Sequence, residues 1–127
     1  MLHDLGLLVL RLGASGLMLF GHGLPKILEF GQMAQSFPDP LNLGSKASLI
    51  LAIFGEAICP LFVAIGLKTR YASVPSLITM IVAAFIVHAG DAWSKIEFPL
   101  TYALLFLIIM LLGPGRFSAD HLFLKHK

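Results

Sequence analysis

Four runs of apolar residues, each near the length that crosses a bilayer, constrain this chain more than anything else in it. They fall at about residues 5–24, 47–67, 72–89 and 97–113. A transmembrane helix needs roughly 20 predominantly apolar residues. Hydrophobic residues make up 57% of the 127 residues and charged residues only 13%. An ordinary soluble domain carries roughly 25% charge, and a soluble fold this apolar would leave large greasy patches in water. The sequence therefore predicts an all-α, integral membrane four-helix bundle, a single transmembrane domain over residues 1–127.

The edges of the runs follow from proline, glycine and charge. Leu5–Leu24 is ended by Pro25. Asp4 precedes this run, Arg11 interrupts it and no small-x-small pattern follows, so it reads as a retained helix rather than a signal peptide. Pro75 is placed in the first turn of the third span, where its missing N–H is tolerated. The fourth run, Pro99 to Gly113, is short and is extended back through Glu97, and Gly113-Pro114-Gly115 stops it.

Basic residues in short loops set direction. Lys68, Arg70, Arg116, Lys125 and Lys127 lie on the side of the termini with Asp120, whereas Lys26, Lys46 and Lys95 on the other side are offset by Glu29, Asp39, Asp91 and Glu97. Both termini are thus predicted to be cytoplasmic. Pro25 to Lys46 becomes a long first extracytoplasmic loop, with room for one or two helical turns in Gly31–Phe37 before Pro38 and Pro40. It is either an ordered surface connection or a lid over the outer end of the bundle.

Some functions are excluded. The net charge is +2 with no basic run, so no nucleic-acid footprint exists. Cys59 is the single cysteine and lacks a resolving partner for thiol chemistry. It is expected to pack as a small hydrophobe, on a small-residue flank with Ala52 and Gly55 that lets a neighbouring helix approach.

An ionised side chain at mid-membrane costs at least ~2.5–3.5 kcal/mol, so each one needs a partner or a wet cavity. Glu56 lies eleven residues from Leu67, roughly 16 Å from that edge of its span and near its centre. Pro60, four residues later, removes the normal donor to the Glu56 carbonyl and predicts a kink. Arg11 sits six residues into the first span, roughly 9 Å deep. It either snorkels to the headgroups or pairs inside the bundle, and Glu56 is its natural partner. Arg11, Ser15 and His22 share nearly one helical face, which Lys26 continues just beyond the lipid. His88 ends the third span on the same side as His22, with Asp91, Trp93 and Glu97 following. His22, Lys26, His88, Asp91 and Glu97 are expected to converge on a polar vestibule, and Trp93 also suits an interface anchor. The candidate polar core is therefore Arg11, His22, Lys26, Glu56 and His88, supported by Ser15, Asp91, Trp93 and Glu97. Haem between His22 and His88 is not expected, since paired histidines at span ends are common. No ligand spacing diagnoses a metal.

Several local patterns occur in order: Arg11-Leu-Gly-Ala-Ser-Gly16, Phe20-Gly-His22-Gly23-Leu-Pro-Lys26, Gly55-Glu56, Gly66-Leu-Lys-Thr69-Arg70 and Gly113-Pro-Gly115-Arg116-Phe-Ser-Ala-Asp120. This ordered set, over nearly the whole chain, resembles the DoxX family of small bacterial and archaeal membrane proteins. The resemblance implies a place in the cytoplasmic membrane. It also implies kinship with membrane subunits of thiosulfate–quinone oxidoreduction and of complexes managing thiol or oxidative stress. More distant relatives look like cargo receptors and receptor-assembly chaperones, so the fold does not fix the function.

Two readings follow. In the first, the chain is a redox-linked subunit of an oxidoreductase system, not a free-standing catalyst. It binds a quinone or similar lipid-soluble molecule and docks a protein partner or a second copy. His22, His88 and Lys26 would donate hydrogen bonds, while Glu56 and Arg11 would relay protons or shape the slot. In the second, the chain is a scaffold or assembly chaperone whose buried Arg and Glu specify helix packing. A small-molecule transporter ranks third, because four spans would need an oligomer to form a path.

Overall fold

The structure, a computed structural model, describes residues 1–125; Lys127, counted above in the basic tail, lies outside them. Helix α1 spans Leu2–Leu28 and a single turn, α2, spans Phe30–Met33. Helices α3, α4 and α5 span Ser45–Ile65, Thr69–Val87 and Trp93–Leu112, and α6, Ala119–Lys125, follows. Four of these, α1, α3, α4 and α5, are long and apolar enough to cross a membrane. Each packs on its neighbour in the chain, α4 against α5 most extensively, and α1 closes the ring against α3 and α5.

The axis is filled by Ala14 and Met18 of α1, Val63 of α3, Met80 of α4, and Ala103, Phe106 and Ile109 of α5. Large apolar side chains also face outward on every long helix, Leu17, Phe20, Leu61, Phe85 and Leu111 among them. Water would penalise that surface, whereas acyl chains solvate it.

Three helices carry a wider π turn at which one extra residue enters the coil. These lie at Leu19–Gly23 in α1, Phe54–Ile58 in α3 and Ala83–Val87 in α4. Pro25 therefore does not end α1. The Leu24 amide donates to Leu19 O, and Pro25 falls at the start of the resumed α-helical stretch, where a missing N–H is harmless. Pro60 acts similarly in α3, just after its π turn. It has no N–H for the carbonyls four and five residues back, and Ser76 Oγ of α4 donates to Gly55 O at 2.6 Å instead.

Helix α4 begins three residues earlier than the apolar run suggests, which puts Pro75 inside the helix rather than in its first turn. The cause is a cap supplied from far along the chain. Asp120 accepts the Lys68 and Thr69 amides at 2.6 and 2.9 Å and the Thr69 hydroxyl at 2.9 Å. A carboxylate there satisfies orphan donors and complements the helix dipole. Helix α5 likewise starts at Trp93, with Pro99 in its interior.

The same end of the bundle settles Arg11, which does not pair with Glu56. Its side chain, 1% exposed, turns toward the start of α1, the direction in which helical side chains lean. There it donates to Ala64 O at 3.2 Å, to Val63 O at 3.4 Å and to Phe117 O. Both Ala64 O and Val63 O are last-turn carbonyls of α3; Val63 O also accepts the Gly66 amide at 3.1 Å. Gly66 ends α3 at φ +75°, and a Cβ there would strike the Arg11 guanidinium and Ser118. Asp4 accepts the Arg116 amide at 3.2 Å, closing the N-terminus onto the segment before α6.

Candidate functional site

At the opposite end, the register added by the π turns brings a second set of polar residues together. Lys26, three residues beyond the π turn of α1, lies in the helix and not past it. Its side chain leans back toward the N-terminus and meets Glu56 of α3, with Nζ to Oε1 at 3.0 Å. Lys26 Nζ also donates to His22 O at 3.3 Å. Glu56 itself lies within the π turn of α3 and is 4% exposed. The helices approach closely here because Gly23 has no side chain; a Cβ on it would collide with the Glu56 carbonyl. Gly55 does the same for α4, where the Thr79 side chain occupies its missing Cβ position.

A cavity of about 520 Å³ opens beside this ion pair. His22, Lys26, Glu56, Ser48, Thr79 and His88 supply its polar atoms; Leu51, Ala52, Phe54, Ile78, Val82 and Phe98 supply much of its apolar wall. The His22 ring stacks on Phe98 with centroids 5.0 Å apart and meets Tyr102 edge-on at 5.3 Å. His88 lies 6.4 Å from Phe98, and its Nδ1 is 3.0 Å from Asp91 Oδ2. With Asp91 accepting from Nδ1, a neutral His88 keeps the Nε2 lone pair available.

The segment between α2 and α3 roofs the cavity with Phe37, Pro38, Pro40 and Leu41. Asp39 holds that roof. It accepts the Leu43 and Gly44 amides and the Ser48 hydroxyl, each at 2.8 Å. These bonds, the one from Ser48 foremost, hold the Asp39 carboxyl below its ordinary value of 3.8.

Of the candidate residues, His22, Lys26, Glu56 and His88 line one cavity, and Asp91 touches it through His88. Arg11 lies at the other end of the bundle. Ser15 is buried on α1 with its Oγ unpartnered and does not line the cavity. Glu97 is exposed on the outer surface of α5 and stays out of the vestibule, because α5 begins at Trp93 and turns it away. Trp93 is 63% exposed at the end of its helix. The sequence offers the Pro25–Lys46 loop as a lid; the Asp39 pin and the aromatic bracket of Phe98 and Tyr102 are not singled out by it. Asp39 carried the best signal, an acidic residue shortly before a helix start. Among the described residues no three of His, Cys, Asp and Glu converge as a ligand set for a metal ion.

The sequence model of the DoxX family matches residues 6–89. The chain belongs to the DoxX family. The DoxX match takes in Arg11, His22, Lys26, Glu56, Thr69, Arg70 and His88, and stops before Asp91 and α5. An uncharacterized protein of Haemophilus influenzae is similar to this DoxX chain, 29% identical over 101 residues, covering 76% of the chain and 67% of that protein. No solved structure matches.

Proposed function

We propose that the cavity binds a membrane-dissolved quinone, or a similar apolar molecule with hydrogen-bonding oxygens, and that the chain serves as a redox-linked membrane subunit presenting that site to a partner. The observation that carries this reading is the Lys26–Glu56 ion pair at the wall of a largely apolar cavity of about 520 Å³. Ligand sites are commonly clefts of roughly 300–1,000 Å³, apolar with a few placed polar groups.

The residues present fit a quinone head. Lys26 has three N–H groups, of which two point at Glu56 Oε1 and His22 O, leaving one without an acceptor among the described residues. Pairing with Glu56 neutralises the charge, so the wall suits an uncharged oxygen acceptor. Glu56 Oε2 has no donor among the described residues and is the atom placed to take up or release a proton at the cavity wall. His22 and Phe98, stacked on each other, both line the cavity and give it an aromatic wall for a flat ring. A bound quinone would supply two-electron, two-proton chemistry in the bilayer; this chain supplies the slot, the donor and the proton-exchanging carboxyl.

A bacterial or archaeal cytoplasmic membrane with both termini inside belongs to the same reading, supported by Lys68, Arg70 and Arg116 at the terminal end. The test is a thermal melt of purified protein with ubiquinone-1 added. A quinone site predicts a rise in melting temperature that saturates with ligand; no rise at saturation removes its main support. A scaffold or assembly-chaperone role is the second reading. It is favoured by the terminal end, where Arg11 and Asp120 bind backbone and lie outside the cavity of Lys26 and Glu56. It expects a stable protein partner to co-purify in mild detergent and ligands to leave the melt unchanged.

A further inference from the structure

We infer that the cavity is entered sideways from the bilayer, through a gap between α3 and α4, while the Asp39-pinned roof closes the route from water. The inference rests on reading the cavity as a ligand site and adds the physical state of the ligand: it arrives dissolved among acyl chains.

Three residues define the gap. Leu51 and Phe54 of α3 and Ile78 of α4 line the cavity yet remain 50%, 46% and 54% exposed. On a membrane-spanning helix, a side chain that lines a cavity and stays exposed marks where the cavity meets lipid. Leu51 lies six residues from the start of α3, and Ile78 nine residues from the end of α4. At 1.5 Å per residue these are depths of roughly 9 and 14 Å, inside a hydrocarbon core of about 30 Å. What reaches such a mouth is lipid-soluble. Beside the gap Gly55 and Thr79 are in contact, and Thr79 turns its hydroxyl back to Pro75 O at 2.7 Å, presenting no polar group to lipid.

The opposite face is covered by a loop. Phe37, Pro38, Pro40 and Leu41 line the cavity from it, and Asp39 fastens it by one hydrogen bond from Ser48 in the first turn of α3 and two from the Leu43 and Gly44 amides just before that helix. Loops on this scale normally open easily; two prolines and a carboxylate bound to two amides and a hydroxyl oppose that. Asp39 is thus a positioning residue that separates the cavity from water.

The experiment places a thiol in the cavity wall, Ala52→Cys in a Cys59→Ser background, with Thr79→Cys as a second site should the first misfold. Proteoliposomes are exposed to N-phenylmaleimide, which partitions into the bilayer, or to a permanently charged methanethiosulfonate present on both sides. The expected result is labelling by the maleimide and little by the charged reagent. Adding Ile78→Trp slows the maleimide about tenfold, and adding Asp39→Ala speeds the charged reagent about tenfold. Rapid labelling by the charged reagent with the roof intact, or an unchanged maleimide rate with Ile78→Trp, overturns the inference. These rates do not depend on which ligand binds. Lateral labelling without a ubiquinone-1 melt shift therefore sinks only the quinone assignment, and a melt shift without lateral labelling sinks only the entry route.

Discussion

Arg11 and Lys26 are long cations on the same helix, fifteen residues apart, and each reaches across to α3. Arg11 meets last-turn carbonyls of α3 and a carbonyl of the segment before α6; Lys26 meets a carboxylate in the helix middle. Around Arg11 the glycines are filled by guanidinium and serine, and Asp120 occupies the amides at the start of α4. Around Lys26 a cavity remains, with donors and acceptors still unused. The first arrangement commits most of its polar groups to holding helix ends together and leaves Arg11 Nε buried without an acceptor among the described residues, whereas the second keeps its spare groups beside a cavity. Buried charge therefore does not by itself mark a functional site; spare hydrogen-bonding capacity beside empty space does.

Removing Arg11 should have the largest effect. Arg11→Ala removes the side-chain donor from Ala64 O and Phe117 O and empties a buried site; it is expected to cost about 4–5 kcal/mol, read as loss of folded protein in a denaturant titration. Preserved folding would show that the terminal end is not the structural half of the pair.

Next comes the ion pair. Lys26→Met strands Glu56 in an apolar wall and should destabilise by about 3 kcal/mol. Adding Glu56→Leu should return stability to within about 1 kcal/mol of wild type, because no buried charge is then left unpaired. Glu56→Gln, which keeps an acceptor for Lys26, should be milder than Glu56→Leu alone. Equal damage from both single changes would mean that the carboxylate contributes no hydrogen bond.

Much of the bundle is legible in the amino-acid sequence alone. Apolar runs place helices because lipid allows little else, and the four long helices overlap those four runs. The pairing of charges is not legible. Depth arithmetic sets Arg11 near Glu56, but the lean of helical side chains sends Arg11 the other way. Pro25 reads as a stop, which places Lys26 outside the lipid. The π turn at Leu19–Gly23 carries the helix through it and moves Lys26 into reach of Glu56. A one-residue register shift has no hydropathy signature. The cap on α4 is hidden too, since Asp120 lies 51 positions from the Thr69 amide it binds.

A smaller effect should fall on His22. Replacing it in His22→Phe keeps the stack on Phe98, so stability should change by no more than about 0.5 kcal/mol. Ubiquinone-1 affinity should fall about tenfold if the ring contributes a hydrogen bond to the ligand. A large melting change with affinity intact would move His22 to the structural side of the comparison.

The smallest effect concerns the roof. Asp39 has a depressed pKa in the folded protein, so its contribution is fully present above 3.8 and is lost as pH falls through the lower folded value. The gap in melting temperature between wild type and Asp39→Asn should be constant at neutral pH and close in strong acid. A gap that widens on acidification would reverse the assigned sign.

The role of the ion pair is tested most directly by an equilibrium titration of ubiquinone-1 into nanodisc-embedded wild type and the Lys26→Met/Glu56→Leu double variant. Wild type should bind saturably and the variant, though folded, about thirtyfold more weakly, the loss of roughly 2 kcal/mol of hydrogen bonding. Equal affinity in the two proteins would contradict the claim that this ion pair is the polar end of a ligand site.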